Sequence, residues 1–345
     1  MTSRDGHSPE AARVGSSDDP VIPRVGTRLE GQALGIDVGG TGVKAAVVDL
    51  PTGELASDRI REKTPQPATP EAVIETIGSV IGKLRAAGSL PEGLPAGCGL
   101  PGVVKYGRLK TAANIDPGWL DVSAEELMKD RLGFGVLALN DADAAGLAEM
   151  TYGAGSGQAG TVLVLTVGTG IGSALFVDGV LVPNTELGHL EMGGKDAETR
   201  VSGAARERRH VSWKRWIREF NGYLARVEAY LWPDLIILGG GVSKEWAKFE
   251  KLLETRAPTV PAKLLNSAGI AGAALAGAYA QQVGGSQAPA SRSSKAAGSK
   301  AAASKAAGSR SGRSKAVTAT IGKAAKAKKP AASTRRRRPV SATKG

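Results

Sequence analysis

The chain has 345 residues but only one cysteine, Cys98. A single cysteine cannot form an intramolecular disulfide and cannot supply a cysteine-based zinc cluster, which is typical of a protein in a reducing compartment. The sequence also lacks an apolar run of about 18 residues or more, which argues against a membrane-spanning helix. Its first residues lack the apolar stretch of a signal peptide. We therefore expect a cytoplasmic protein with no membrane partner.

The carboxyl-terminal segment lacks acidic and aromatic residues. Residues 286–345 contain sixteen Lys and Arg and no Asp or Glu. Because the whole chain carries a net charge of +12, removing these sixteen charges leaves −4 for residues 1–285. A segment of Ala, Ser, Gly and basic residues cannot bury enough apolar surface to offset the entropy of ordering it. We expect disordered tails at residues 1–32 and 284–345.

The basic tail has two interpretations. Its charge predicts binding to polyanions such as polyphosphate or nucleic acid, without sequence preference. The alternative is a solubilising segment that binds nothing.

Two stretches share one pattern, in which an apolar strand, a glycine-rich turn and a second strand follow each other. They are "LGIDVGGTGVKAAVVD" at 34–49 and "LTVGTGIGSALFVDG" at 165–179. Around them, predicted strands alternate with helical periodicity, which favours a two-lobed α/β fold with a central cleft. Thr69 and Ser123 are the predicted N-caps of two of these helices. We place the smaller lobe at 33–138 and the larger at 139–266. A closing helix of small residues at 267–283 is expected to return to the first lobe.

Glycine turns let the backbone approach a ligand and point successive N–H groups at phosphate oxygens. Neither turn has P-loop spacing, and neither is a G-x-G-x-x-G segment that opens a helix, so a dinucleotide fold is disfavoured. A plain β-hairpin is the alternative for each turn. An acidic residue at a phosphate site needs a cation, so Asp37 is predicted to hold Mg²⁺. The predicted phosphate-binding residues of the two turns are Gly39, Gly40, Thr41, Gly42, Lys44, Thr166, Gly168, Thr169 and Gly170.

Five ordered segments resemble the ROK sugar kinases of the actin-like ATPase superfamily: "GIDVGGTGVKAAVVD", "LNDADAAGLAE", "LTVGTGIGSAL", "ELGH" and "IILGGGVS". The resemblance covers residues 33–282 and is to the actinobacterial branch that uses polyphosphate. It implies two RNase-H-like lobes with glucose and the phosphoryl donor meeting in the cleft. Polyphosphate as main donor, ATP as second donor and a homodimer are also implied. "ILGGGVS" resembles the family's nucleotide-side turn, which implies nucleotide binding at Gly240 and Gly241.

The resemblance also implies the residues that hold and activate the sugar. Asp141 follows the apolar strand "VLAL" and begins a helix, where a carboxylate can alternatively serve only as an N-cap. In the family, the Asp of this Asn-Asp pair is the general base and the Asn binds the sugar, which implies these roles for Asp141 and Asn140. "ELGH" implies sugar contacts from Glu186 and His189. "GLPGVV" resembles the loop that closes over the sugar, with Gly102 at its turn.

One segment departs from the family. Most members follow "ELGH" with a C-x-C-G-x-x-G-C-x-E zinc site whose last Glu reaches the sugar, whereas this chain has "MGGKDAETRVSG". The departure implies that no zinc site is present. Counting back from "VSG" puts Glu198 in the place of that last Glu, with Glu191 as the competing residue. Asn114, in a segment resembling the family's N-x-x-x-W, has either a sugar contact or a turn role.

A basic run follows the sugar segment. A polyphosphate chain requires a string of cations leading out of the cleft, and such binding weakens with salt through counterion release. The run is mixed with Glu207 and Glu219, which is also typical of a solvated helix face. The predicted polyphosphate-binding residues are Arg206, Arg208, Arg209, Lys214, Arg215 and Arg218.

Two other functions use the same segments. One is an ATP-dependent kinase for another hexose or an amino sugar. The other is a sugar-responsive regulator, since the family includes transcription factors. Such a regulator requires a helix-turn-helix domain ahead of the first glycine turn. Only a short polar segment precedes Leu34, so we expect an enzyme.

Overall fold

The computed structural model describes residues 22–112 and 115–286, and two five-stranded mixed sheets form its framework. The strands are, in chain order, β1 (Gln32–Gly39), β2 (Gly42–Asp49), β3 (Ile60–Glu62), β4 (Ala96–Leu100), β5 (Val104–Lys105), β6 (Arg108–Leu109), β7 (Leu137–Asn140), β8 (Thr161–Val167), β9 (Ile171–Val177), β10 (Val180–Val182), β11 (Leu235–Gly239) and β12 (Thr259–Pro261). The α-helices are α1 (Pro70–Ala86), α2 (Ala124–Leu132), α3 (Asp141–Tyr152), α4 (Glu198–Val201), α5 (Gly203–Arg208), α6 (Trp213–Leu231) and α7 (Ala268–Ser286). Short 3₁₀ segments lie at Pro117–Trp119, Leu187–His189, Gly241–Lys248, Glu250–Leu252 and Leu265–Ser267.

The two sheets repeat one topology. The first has the order β3-β2-β1-β4-β7, in which β1, β4 and β7 are parallel and β2 and β3 are antiparallel to their neighbours. The second has the order β10-β9-β8-β11-β12, with β8, β11 and β12 parallel. Each sheet therefore begins with one of the two predicted glycine-turn hairpins, β1–β2 and β8–β9.

The predicted helix caps are confirmed. The Thr69 hydroxyl accepts a hydrogen bond from Ala72 N–H at the start of α1, and the Ser123 hydroxyl accepts one from Glu126 N–H at the start of α2. Such side-chain oxygens satisfy N–H groups that have no partner within the helix.

Three apolar clusters fill the spaces between the layers. One lies between the first sheet and α1 and α2, and another lies between the second sheet and α6. The third surrounds α3 and α7 and includes residues from both sheets. The face alternation of a strand explains this division: Val164 of β8 belongs to the central cluster, and Leu163 to the cluster beneath α6.

Helix α7 packs against α3, β1 and β4 with almost no side chain between the backbones. A Cβ atom on Gly272 would overlap the carbonyl oxygen of Ala144 in α3, and one on Gly35 would overlap the carbonyl oxygen of Ile270. Glycine is needed where two backbones approach this closely. The contact holds β1, which carries Asp37, beside α3, which begins at Asp141.

The amino-terminal boundary differs from the prediction. Residues 22–32, predicted to be part of a disordered tail, pack on the central cluster. Leu29 is buried, and Val25 N–H donates to the Gly179 carbonyl at 2.8 Å. The apolar residues of this stretch provide the burial that orders it. The rest of both predicted tails, including nearly all of 284–345, lies outside the described residues.

Within the described residues, no helix combines the length and the apolar character needed to cross a membrane.

Candidate active site

Predicted functional residues follow the carboxyl ends of the parallel strands β1, β4, β7, β8 and β11. In α/β sheets, ligands bind beyond the carboxyl ends of parallel strands. A cavity of about 330 Å³ lies there. The predicted residues that line it are Asp37, Gly39, Gly40, Thr41, Lys44, Gly102, Asn140, Asp141, Thr166, Gly168, Thr169, Gly170, Glu186, His189, Glu198, Gly240 and Gly241.

The glycine turns of the two hairpins face each other across this cavity. A Cβ atom placed on Gly40, in the first turn, would lie 3.9 Å from the Thr169 side chain in the second. The turn after β11 adjoins the second hairpin: Gly240 has a φ of +76°, and a Cβ there would lie 2.6 Å from the Val167 carbonyl oxygen. Residues of all three turns line one space, and glycine-rich turns are the kind of backbone that can bind phosphate.

Gly42 is the one predicted turn residue that does not line the cavity. The Arg61 guanidinium lies over it, since a Cβ on Gly42 would be 2.7 Å from Arg61 Nε. Arg61 also donates to the Thr41 carbonyl oxygen at 2.8 Å. Gly42 therefore makes room for an arginine from β3, and its role as a phosphate-binding residue stays a prediction.

Asp37 and Lys44 form an ion pair on the floor of the cavity. They are paired across β1 and β2, and Lys44 Nζ lies 2.6 Å from Asp37 Oδ2. The Lys44 side chain is 23% exposed, and the Asp37 side chain is 14% exposed. Helix α7 shapes the other side of the carboxylate, because a Cβ on Gly269 would lie 2.9 Å from Asp37 Cγ.

The donor set at Asp37 suits a hard divalent cation. Mg²⁺ is usually held by one or two carboxylates together with water and substrate phosphates, rather than by a cage of protein ligands. The described residues contain no group of three or more His, Cys, Asp or Glu side chains arranged to hold a metal ion. Asp37 lies near Asp141 in a cavity lined by glycine turns. This fits a Mg²⁺ ion held by one or two carboxylates together with substrate phosphates.

Asp141 is the first residue of α3, immediately after β7. The capping role belongs to its neighbour, because Asn140 Oδ1 accepts a hydrogen bond from Asp143 N–H at 2.9 Å. The Asp141 carboxyl group is therefore free of the N-cap function that was its alternative. Desolvation, reinforced by the negative charge of Asp37, raises the pKa of Asp141 to about 7. Such a pKa suits a group that accepts a proton near neutral pH.

Asn140 connects two parts of the predicted sugar site. Its Nδ2 donates to the Gly102 carbonyl oxygen at 3.0 Å and lies 3.4 Å from Glu186 Oε1. Burial raises the pKa of Glu186. The amide thus holds the "GLPGVV" loop and Glu186 beside Asp141.

His189 lies between two carboxylates. Its Nδ1 is 2.8 Å from Asp196 Oδ2, and its Nε2 is 3.4 Å from Glu186 Oε2. The hydrogen bond to Asp196 is the main reason that the pKa of His189 is raised. Asp196 belongs to the segment that stands where most family members have cysteines, and the sequence analysis did not identify it.

Glu198 and Glu191, the two candidates for the third sugar-binding carboxylate, lie in different environments. Glu198 lines the cavity, and its Oε2 accepts a hydrogen bond from Ile171 N–H at 3.1 Å. Glu191 is exposed and outside the cavity, and its carbonyl oxygen accepts from Arg226 at 2.5 Å. The geometry therefore favours Glu198.

The basic run lies outside this cavity, and several of its members are engaged elsewhere. Arg209 donates to both carboxylate oxygens of Glu219 at 2.8 Å. The Arg206 guanidinium lies 4.1 Å from the ring centre of Trp213, which is a cation–π contact. The prediction that this run binds polyphosphate stays a prediction.

Two charged residues that line the cavity, Glu149 and Lys244, were not predicted. Glu149 of α3 is buried and accepts hydrogen bonds from the N–H groups of Ala154, Lys263 and Leu264 at 2.9, 3.1 and 2.7 Å. No local pattern predicts this contact across more than a hundred residues. Lys244 follows the third glycine turn, and its position after "GGGVS" was a signal that could have identified it. Asn114 lies outside the described residues.

Comparison with known proteins gives the family. Residues 33–207 match the model of the ROK family. The chain is 48% identical over 251 residues to a polyphosphate glucokinase from Mycobacterium tuberculosis (strain H37Rv), covering 72% of this chain and 92% of that protein. It is 44% identical over 257 residues to a polyphosphate glucokinase from Mycobacterium leprae (strain TN), covering 74% and 78%.

Two solved structures are similar to this chain in both fold and sequence. An inorganic polyphosphate/ATP-glucomannokinase from Arthrobacter sp. strain KM has a TM-score of 0.70 and 50% identity, covering 71% of this chain and 98% of that one. A ROK family glucokinase from Streptomyces griseus in complex with glucose and AMPPNP has a TM-score of 0.60 and 25% identity, covering 71% and 98%. The chain therefore belongs to the ROK family and has its actin-like ATPase fold.

Proposed function

We propose that this protein transfers a phosphoryl group from inorganic polyphosphate to glucose, forming glucose 6-phosphate, with ATP as a second donor. The observation that carries the proposal is that Asp141 lines one cavity together with the glycine turns and with the predicted sugar ligands. The names of the mycobacterial and Arthrobacter relatives support polyphosphate as a donor and glucose as an acceptor.

Asp141 acts as the general base in this proposal. Its carboxylate accepts the proton of the glucose hydroxyl while the hydroxyl oxygen forms a bond to the terminal phosphorus of the donor. The bond between that phosphorus and the bridging oxygen breaks, and the shortened donor leaves with the electron pair. Asn140, Glu186, His189 and Glu198 hold the sugar hydroxyls so that the attacking oxygen is in line, and such positioning supplies much of the rate.

The glycine turns bind the donor phosphates through their N–H groups. Asp37 holds Mg²⁺, which, when bound, neutralises charge on the donor phosphates. Lys44, which is paired with Asp37, holds that carboxylate in place at the cavity.

Other proposals rest on the family resemblance. They are lobes at 33–138 and 139–266 with the last helix returning to the first, a homodimer, and polyphosphate contacts from the basic run of residues 206–218. Polyanion binding by the tail at 284–345 is a further proposal, on residues outside the described part of the chain.

The test is glucose 6-phosphate formation by the purified full-length chain with Mg²⁺, using polyphosphate or ATP in separate reactions. We expect turnover with both donors and a higher kcat/KM with polyphosphate. Activity with ATP alone would overturn polyphosphate as the main donor. Lack of activity on glucose with either donor would overturn the choice of sugar.

Mannose is the second acceptor to test, because the Arthrobacter relative is named a glucomannokinase. Parallel reactions with glucose and mannose at equal concentration measure the ratio of kcat/KM. A ratio in favour of mannose would replace glucose as the principal substrate.

A further inference from the structure

The cavity is lined by more carboxylates than Lys or Arg side chains. The carboxylates include Asp37, Asp141, Glu186 and Glu198, whereas the Lys and Arg residues lining it, within the described part of the chain, are Lys44 and Lys244 alone. The ammonium group of Lys44 lies 2.6 Å from Asp37 and is already paired.

Lys244 has no such partner. It is exposed and forms no ion pair with any residue in the ranges 22–112 and 115–286. A lysine without a partner at a cavity whose substrate is a polyanion is available to bind that substrate.

The local structure holds Lys244 at the donor side of the cavity. The residue before it, Ser243, donates to the Gly240 carbonyl oxygen from its hydroxyl at 2.8 Å and from its N–H at 3.2 Å. These bonds tie the 3₁₀ segment to the glycine turn that ends β11. Gly241 in turn adjoins the second hairpin, since a Cβ on Gly168 would lie 3.9 Å from Gly241 N. Lys244 therefore sits on the rim formed by two of the three glycine turns, on the second sheet.

We propose that Lys244 binds a phosphate of the donor that is not transferred, and so determines the affinity of the site for polyphosphate. This inference rests on the proposed function and names the residue that contacts the donor beyond the reacting phosphate. An ammonium group acts as a point charge that needs no fixed pairing geometry, whereas a guanidinium forms oriented bidentate pairs. A point charge suits a chain of repeating, rotatable phosphates, because it can pair with any oxygen of the phosphate that reaches it.

The chain offers a matched control in Lys248. It belongs to the same 3₁₀ segment and has the same charge, but it is paired with Glu245 and does not line the cavity. Removing its charge tests for general electrostatic attraction of polyphosphate to this part of the surface.

The experiment compares Lys244→Gln with Lys248→Gln in the full-length protein. The measured quantities are KM for polyphosphate, KM for glucose and the slope of log(kcat/KM) against log salt concentration. For Lys244→Gln we expect KM for polyphosphate to rise about tenfold, the lower range for one hydrogen bond to a charged group. Loss of one phosphate contact reduces the salt slope by about one. KM for glucose stays unchanged, Lys248→Gln behaves as wild type, and Lys244→Arg recovers only part of the lost affinity.

Equal KM values and equal salt slopes for the two glutamine variants would overturn the proposal. So would a rise in KM for glucose that matches the rise for polyphosphate, because this would indicate a general distortion of the cavity. Equilibrium binding of polyphosphate to wild type and Lys244→Gln is measured in parallel. If wild type binds polyphosphate but forms no glucose 6-phosphate, the proposed function fails while the binding comparison still decides the role of Lys244.

Discussion

Replacing Asp141 by Asn tests the base directly. The substitution keeps the size of the side chain and removes the carboxylate that accepts the proton, while Asn140 continues to cap α3. General-base catalysis contributes roughly 10²- to 10⁴-fold, so kcat is expected to fall by that factor. KM for glucose is expected to change little, because the proposed sugar contacts of Glu186 and His189 remain. Asp130→Asn, at an exposed position of α2, is the control that leaves kcat unchanged.

The pKa of Asp141 adds a second measurable effect. It rises from 3.8 to about 7 because the carboxylate is desolvated and lies near Asp37. A shift of about three units corresponds to roughly 4 kcal/mol in favour of the protonated form. The base is active only when ionised, so kcat/KM is expected to fall about tenfold for each pH unit below 7 and to level off above it.

The assay is glucose 6-phosphate formation from pH 5.5 to 8.5, with polyphosphate and Mg²⁺ at fixed concentrations. An Asp141→Asn variant that keeps more than about a tenth of the wild-type kcat would refute the assignment. A flat wild-type profile between pH 5.5 and 7 would refute the raised pKa, even if the variant is inactive.

Three further predictions concern carboxylates around the site. Glu198→Gln is expected to raise KM for glucose at least about tenfold through loss of a charged hydrogen bond, whereas Glu191→Gln leaves this KM unchanged. Equal effects of the two substitutions in steady-state kinetics would contradict the choice of Glu198. Asp196→Asn replaces the charged acceptor that raises the pKa of His189 by a neutral amide. NMR of the three histidines should therefore find the titration midpoint of His189 at lower pH, and an unmoved midpoint would exclude the contact. Burial raises the pKa of Asp143 to about 7. The folded state therefore holds a proton that the unfolded state releases near pH 4. The stability that this proton gives the folded state, at most roughly 4 kcal/mol, is lost as the pH rises toward and through 7. Asp143→Asn flattens this decline in thermal unfolding, and a variant with the wild-type pH dependence would show that the group does not titrate in this range.

The parts of the fold that depend on neighbouring residues could be predicted from the sequence. The caps at Thr69 and Ser123 were recognised because a hydroxyl before a helical pattern satisfies free N–H groups locally. Both hairpins were recognised because strand alternation and a glycine turn are short-range features. The pairing of Asn140 with Asp141 at a strand–helix boundary was also visible in the sequence.

The remaining features depend on residues that are distant in the chain. Gly42 has the pattern of a phosphate-binding glycine, yet Arg61 of another strand covers it. Glu149 looks like an ordinary helical residue until it accepts N–H groups from Lys263 and Leu264. Lys244 stands directly after a recognised turn, but only the absence of a partner within the described ranges distinguishes it from other exposed lysines. Such contacts are set by tertiary packing, which local periodicity does not encode.

Volume restricts substitution where α7 packs against α3 and β1. At Gly272 and Gly35, the space that a methyl group would occupy is already filled by a carbonyl oxygen, so alanine is excluded as firmly as lysine. The spacing between the strand of Asp37 and the helix of Asp141 is thus determined by backbone thickness, which no rotamer change can adjust. Substitutions at these two glycines are expected to reduce the amount of folded protein rather than the turnover of the molecules that fold. Screens for altered substrate preference would therefore gain more from the cavity rim than from this backbone contact.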